Sequence, residues 1–346
     1  MSQTALPAAA GTTDFAESCK TSDAEVRRYP PVKHSEPVKP GSRLAGHNVL
    51  AQIGRGAASV IYLVQDPKSK QIWALKHVVK NGPKDQRFLE QAEQEGAVSA
   101  RLDHPVIRRI VKITRSRSLT GVKELYMLME YVDGVSVDKH PPETFEESVD
   151  IFRQVARGLA HMHAKGFVHA DMKPNNVVIC DDGSVKVIDL GQSCAIGAVK
   201  ERIQGTPDYI APEQVHLRAI TPKTDIYNLG ATMYWVLTRQ NIPTAIPKGD
   251  SLVNSLDDHL IEKPKPIKEL NPRVPDMLAD LIMQSVAIDP DQRPPDMDWV
   301  ADRLDLIYGK AVADRKLREG KKNGDAATAR IEDAAQKPGD ALGQGA

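Results

Sequence analysis

The chain has 346 residues, 41% hydrophobic and 27% charged, with Lys+Arg and Asp+Glu balanced at 46 each. That size allows one large two-lobed catalytic unit or two ordinary domains around a substantial core, and zero net charge gives no electrostatic footprint for nucleic acid or a polybasic membrane patch. The three cysteines, Cys19, Cys180 and Cys194, are odd in number and lack paired spacing, which argues against a disulfide scaffold or a zinc site and for a reducing compartment.

No apolar run approaches the roughly 20 residues that a spanning helix needs. The first residues lack a basic segment followed by an apolar core, so they do not read as a secretory signal. The expectation is a soluble, cytoplasmic protein. Residues 1–43 are rich in Ala, Ser, Thr, Pro and charge and show no sustained period; Pro30, Pro31, Pro37 and Pro40 oppose regular structure. They read as a disordered arm.

Val49 to Ile53 and Val60 to Gln65 read as strands around a glycine turn, and Ile72 to Val79 as a strand alternating about Lys76. Gln86 to Arg101 reads as a helix, and Ile107 to Arg115 and Leu125 to Tyr131 as strands. This first part, residues 44–132, is expected to be a small antiparallel sheet with one helix. After Gly134 the pattern changes. Thr144-Phe145-Glu146-Glu147 is a capping-box sequence. It opens a helix with Phe145, Val149, Phe152, Val155, Leu159 and Met162 on one face, and Gly166 is placed to end it. A short hairpin is expected from Val177 to Ile188 with its turn at Asp181-Asp182-Gly183. Asp225 to Leu237 is apolar enough for a buried central helix, and later helices are expected over Met277 to Val286 and Trp299 to Ile307. This second part, residues 133–308, reads as larger and mainly helical. Residues 309–346 are polar and weakly hydrophobic, with a short helix expected over Ala311 to Arg318 and a disordered tail beyond. Either end is a candidate docking arm, though a passive tail explains the same composition.

The sequence's chemistry concentrates in His169-Ala170-Asp171-Met172-Lys173-Pro174-Asn175-Asn176 and in Val187-Ile188-Asp189-Leu190-Gly191. Two acids and an amide stand between short apolar strands, with a lysine beside the first acid. Such a set can align a hydroxyl nucleophile, hold magnesium and neutralise a phosphoryl group in transfer. Other signals are weaker alone. Gly54-Arg55-Gly56-Ala57-Ala58-Ser59 lets backbone amides approach phosphates, but a plain hairpin turn explains it equally well. A strand follows it rather than a helix, which removes a dinucleotide-fold reading, and no Gly-Lys-Ser/Thr follows for a P-loop. Lys76 lies in an apolar strand, where a lone lysine is usually exposed.

In order and spacing these motifs resemble the eukaryotic-type serine/threonine protein kinases, in the style of soluble bacterial members, over about Leu44 to Tyr308. The resemblance implies an α+β, bilobal kinase fold and ATP- and Mg²⁺-dependent transfer of a γ-phosphate to Ser/Thr hydroxyls of protein substrates. It assigns Asp171 as the base that orients the hydroxyl and Lys173 as the cation that steadies the phosphate. Asn176 and Asp189 become the Mg²⁺ ligands. Lys76 binds the nucleotide phosphates and pairs with Glu95. Gly54 and Gly56 cover the phosphates. Ile53, Ile61, Ala74 and Val178 enclose the base, and the backbone of Glu130 and Val132, beside a Met129 gatekeeper, binds the adenine edge. Thr206 contacts the catalytic loop, Glu213 pairs with Arg293, Asp225 braces the loop backbone, and His169 supports it. Lys173 and Gly205-Thr206-Pro207-Asp208-Tyr209 favour Ser/Thr over tyrosine substrates.

Three positions depart from the family pattern. Ser59 stands for the third glycine, Leu190 for the usual Phe, and Ala170 for the Arg that commonly follows the catalytic His. That Arg helps bind an activation-segment phosphate, which Ala170 cannot do. Between Cys194 and Gly205 no residue carries a hydroxyl, so activity independent of activation-loop phosphorylation is expected. The alternatives are a scaffolding pseudokinase, opposed by the full set of site residues, and a small-molecule kinase, opposed by the peptide-binding segment Gly205 to Glu213.

Overall fold

Alternation in the first third of the chain decides which residues face which side of a sheet, and the computed structural model shows that sheet directly. The structure describes residues 38–56, 58–118, 121–246, 258 and 261–335. The chain divides into two units, Met1–Gly134 with Lys186–Cys194, and Val135–Val185 with Ala195–Ala346.

The first unit holds β1 (Arg43–Leu44), β2 (His47–Arg55), β3 (Ser59–Gln65), β4 (Ile72–Val79), α1 (Gln86–Ser99), β5 (Ile110–Ser118) and β6 (Gly121–Glu130). The six strands form one antiparallel sheet in the order β1-β2-β3-β4-β6-β5. Period-two alternation along β4 separates two apolar clusters. Ala74 and Val78 pack with Leu89 and Ala92 of α1 and with Leu125, Met127 and Met129. Leu75 turns the other way, to Leu44, Val49, Tyr62, Val64, Tyr126 and Leu128. Lys76 shares the parity of Ala74 and Val78, so it faces α1. α1 sits close to the sheet because Gly96 carries no side chain; a Cβ there would lie 2.0 Å from Ile113 Cδ1.

Residues 38–43, placed in the arm by sequence reading, are tied to this sheet, and Arg43 is part of β1. Gly41 N donates to Val49 O at 2.8 Å and Val38 N to Tyr62 Oη at 3.1 Å. Val38 also packs on the Leu44 cluster. The remaining arm, residues 1–37, lies outside the described residues. β5 begins at Ile110 rather than Ile107, because Ile107 makes an isolated parallel bridge to Val187 instead.

The second unit holds α2 (Phe145–Ala164), α3 (Pro212–Val215), α4 (Pro222–Thr238), α5 (Ile267–Leu270), α6 (Asp276–Ser285) and α7 (Met297–Ala335), with short strands that include Phe167–Val168 and Val177–Cys180. The capping box forms at α2: Glu147 N donates to Thr144 Oγ1 at 3.1 Å and Thr144 N to Glu147 Oε2 at 3.2 Å. The helix stops where Gly166 takes φ +84°. α4 is buried along most of its length, as an apolar helix without a polar face must be. Thr238 ends α4, with Arg239 in the left-handed region at φ 59°.

α7 corrects the sequence reading. In place of a helix ending at Ile307, a separate short helix and a disordered tail, a single helix runs from Met297 to Ala335. The stretch has no proline and is rich in Ala, Asp, Lys and Arg. Its three glycines, Gly309, Gly320 and Gly324, cost only about 1 kcal/mol each against alanine. Val300, Ala301, Leu304 and Ile307 bury its inner face, while Asp298, Asp302 and Asp305 meet Arg157 of α2. Among the described residues no helix is long and apolar enough to cross a membrane.

Candidate active site

In the first unit three expected residues come together. Lys76 Nζ donates to Glu95 Oε2 at 2.6 Å, with Glu95 1% exposed. α1 has a polar stripe on its outer side, but Glu95 and Ala92 fall on the face toward the sheet. Burial pushes the Lys76 ammonium down, yet the charges of Glu95 and then Asp189 outweigh it and hold it above the ordinary lysine value. Lys76 is therefore cationic at neutral pH. Asp189 sits at φ 71°, in the left-handed region, with Oδ1 accepting from Gly191 N at 3.1 Å. A non-glycine residue held there is a strained position fixed by its surroundings.

Near the nucleotide motif, Gly54 pairs with Ile61 across β2 and β3, and Gly56 N donates to Ser59 O at 2.8 Å to close the turn. Ala57, at its tip, lies outside the described residues. Ala74 is buried, Ile61 half-buried, and Ile53 is 47% exposed. Glu130 N already donates to Arg109 O at 2.9 Å, so Glu130 has only its carbonyl to offer along the backbone. Its side chain is committed to Lys186 at 2.7 Å. Val132 is half-buried.

In the second unit Asp171, Lys173 and Thr206 form a closed triangle. Lys173 Nζ donates to Asp171 Oδ2 at 2.7 Å and to Thr206 Oγ1 at 2.8 Å, and Thr206 Oγ1 donates to Asp171 Oδ1 at 2.9 Å. Asn176 Nδ2 donates to Asp171 O at 2.9 Å. That bond commits the amide nitrogen and leaves the oxygen as the group suited to a cation. Val178 is buried on the adjoining strand.

The loop itself is held by its backbone. Asp225, at the start of α4, accepts from His169 N at 2.9 Å and from Ala170 N at 2.8 Å, and meets His163 Nε2 at 2.8 Å. Burial raises the Asp225 carboxyl, but the His163 hydrogen bond and charge, with His169, outweigh it and hold it below the usual carboxylate range. Ala170 takes φ 62°, and its carbonyl accepts from Gln214 Nε2 at 2.8 Å. Further on, Glu213 and Arg293 form a bidentate pair at 2.8 and 2.9 Å.

The donor chemistry fits magnesium. Asp189 and Asn176 offer oxygen only, and no group of three or more His, Cys, Asp or Glu is gathered as a metal cage among the described residues. Mg²⁺ is commonly held by one or two carboxylates together with substrate phosphates rather than by an all-protein cage.

The family model for the protein kinase domain matches residues 47–303. The chain belongs to the protein kinase family. It is 30% identical over 262 residues to the serine/threonine-protein kinase PrkC of Bacillus subtilis, covering 73% of this chain and 39% of that protein. It is 28% identical to the probable serine/threonine-protein kinase PknB of Lactococcus lactis, covering 73% of this chain and 40% of that one. The serine/threonine-protein kinase PknB of Mycobacterium tuberculosis is also 28% identical, with 73% and 41% covered. This kinase chain thus spans about two fifths of the length of these curated relatives.

Three residues of this kinase site carry no sequence signal that singles them out. Gln214 ties the backbone of the catalytic loop to that of the segment at Gln204. His163 is the penultimate residue of α2, where a surface histidine is ordinary. Arg108 follows His104-Pro105 in a run of mixed apolar and basic residues, and its side chain turns toward Glu95.

Proposed function

We propose that this chain is a serine/threonine protein kinase that transfers the γ-phosphate of ATP, with Mg²⁺, to hydroxyls of protein substrates. The observation that carries the reading is the Asp171–Lys173–Thr206 triangle, in which both oxygens of the carboxylate are oriented by named donors. An aspartate of ordinary basicity is a weak base, but a loose phosphoryl-transfer transition state demands positioning above all. Asp171 accepts and aligns the hydroxyl proton. Lys173 places a positive charge beside the phosphoryl oxygens. Lys76, kept cationic by Glu95 and Asp189, binds the nucleotide phosphates. The Asn176 oxygen and the Asp189 carboxylate are the ligands for Mg²⁺, which when bound neutralises charge on the phosphates. The working unit is proposed to be residues 44–308, acting in the cytoplasm.

We further propose activity without phosphorylation of the activation segment. Of its three hydroxyl residues, Ser193 is 1% exposed, Tyr209 is buried, and the Thr206 hydroxyl is engaged by Asp171 and Lys173. Residues 194–205 carry none. Backbone bonds already hold part of the segment: Ile196 N to Gly166 O at 3.0 Å, Gly197 N to Ile220 O at 2.7 Å and Ile220 N to Ala198 O at 2.8 Å. Control then lies in abundance or in partners, with the terminal regions as candidate docking arms.

The test is transfer of labelled phosphate from ATP to a panel of proteins, with phosphosite mapping. Wild type should label Ser/Thr, and Asp171→Asn should lose about 10²–10⁴-fold in rate. Equal labelling by both, or none from folded wild type across the panel, overturns the kinase reading in favour of a scaffold. Phosphatase-treated enzyme should keep its rate; a large loss restored by phosphate on Ser193 overturns the second proposal.

A further inference from the structure

Glu95 faces two cations. Lys76 Nζ lies 2.6 Å from Oε2, and Arg108 Nη2 lies 3.9 Å from Oε1. The Arg108 side chain is 12% exposed and that of Glu95 1%, so the interaction is poorly screened by water. The backbone at Arg108 is fixed by separate bonds. Arg108 N donates to Val187 O at 3.0 Å, and Val187 N donates to Val106 O at 2.6 Å. Val187 stands two residues before Asp189, so the segment that leads into Asp189 also anchors Arg108. The Arg108 charge acts on Lys76 in the sense opposite to those of Glu95 and Asp189. Two cations, Lys76 and Arg108, thus balance two anions, Glu95 and Asp189.

We propose that Arg108 is a positioning residue of the nucleotide-phosphate site: it shares the Glu95 carboxylate, releases part of the Lys76 charge for the phosphates, and leaves the cluster neutral before a metal ion arrives. This rests on the kinase reading above. Without Arg108 the same cluster carries a net negative charge, which repels metal-free ATP and strengthens its demand for Mg²⁺. Because metal-free ATP carries more negative charge than its magnesium complex, loss of a nearby cation weakens the metal-free form more.

The test measures ATP affinity by calorimetry, in EDTA and in Mg²⁺, for wild type, Arg108→Met and Arg108→Lys. Met keeps the length and removes the charge; Lys keeps the charge. The quantity read is the ratio of Kd in EDTA to Kd in Mg²⁺. For Arg108→Met this ratio should rise on the order of tenfold, while Arg108→Lys stays near wild type. An unchanged ratio in Arg108→Met overturns the proposal. So does an equal loss in both buffers together with a lower melting temperature, the mark of a purely structural role. Wild type that binds ATP in neither buffer overturns the kinase reading itself.

Discussion

Removing Glu213 should destabilise the second unit more than any surface ion pair could. Arg293 uses all five of its N–H donors: two on Glu213, and one each on Ala287 O at 2.8 Å, Lys223 O at 2.8 Å and Ile288 O at 3.0 Å. Its guanidinium lies over the Tyr227 ring at 4.8 Å. The two side chains are 0% and 4% exposed. Glu213→Ala leaves a buried cation and two donors without a partner, and strands Thr224 Oγ1, which donates to Glu213 at 2.8 Å. The cost of breaking such a pair is about 3–5 kcal/mol. For a protein of this size that lowers Tm by roughly 10 °C. The exposed Arg157–Asp302 pair, 41% and 72% exposed, sets the contrast; its loss should cost under about 1 kcal/mol.

Desolvation makes a second, sharper demand. Both partners give up hydration, so replacing both with apolar residues of similar volume is often neutral or better. Glu213→Met with Arg293→Met should therefore melt above either single variant. Thermal unfolding followed by circular dichroism and by calorimetry measures wild type, Glu213→Ala, the two Met single variants and the double variant. A Glu213→Ala protein melting within about 2 °C of wild type, or a double variant whose loss equals the sum of the singles, refutes the reasoning.

Asp225 predicts a pH effect. Its folded-state carboxyl is held below the usual range, so its contribution is fully present above the unfolded value of about 4 and is lost as pH falls through the lower folded value. Asp225→Asn should be less stable at neutral pH and show a shallower acid limb in a denaturation series below about pH 4; a limb parallel to that of wild type counts against the assignment. Gly96→Ala should destabilise despite the better helix propensity of alanine, because the added methyl meets Ile113 Cδ1 at 2.0 Å. Overpacking costs about 1–3 kcal/mol, and the propensity gain is about 1 kcal/mol. Ile113→Val removes the clashing atom, so the pair of changes should be less harmful than the two single losses added together; simple additivity in urea unfolding would speak against close packing there.

Local signals in the sequence carried furthest where a period or a cap sets the outcome within a few residues. The alternation around Lys76 places that residue on the α1 face, and Thr144 with Glu147 starts α2 where the capping pattern puts it. The mixed α+β class follows from such segments in series, and the protein kinase match agrees with it. The ends of elements were less legible. Nothing local distinguishes an alanine- and lysine-rich helix from a polar tail, so α7 runs past the expected stop at Ile307. Ile107 has a strand-like sequence but serves a bridge to Val187, 80 positions away. The side chain of Arg108 reads as one more basic residue in a loop until Glu95, from a different element, is seen beside it.

The catalytic loop shows how order can be built without the side chain that sequence reading looks for. Ala170 is 2% exposed and sits at φ 62°, a conformation that costs a non-glycine residue about 1–2 kcal/mol. A methyl group cannot offset that cost with a hydrogen bond of its own. The backbone does so instead: Ala170 N donates to Asp225, and Ala170 O accepts from Gln214. Both partners are buried and come from α4 and α3. Gln214 Nε2 also donates to Gln204 O at 3.3 Å, and its Oε1 accepts from Asn228 Nδ2 at 3.1 Å. One buried amide thus joins the catalytic loop, the preceding segment and the central helix. An arginine at position 170 could gather a phosphate and order the segment on demand. Here Gln214 ties the same segment to the loop through hydrogen bonds that need no phosphate, which is the physical ground for the proposed activity without activation-segment phosphorylation.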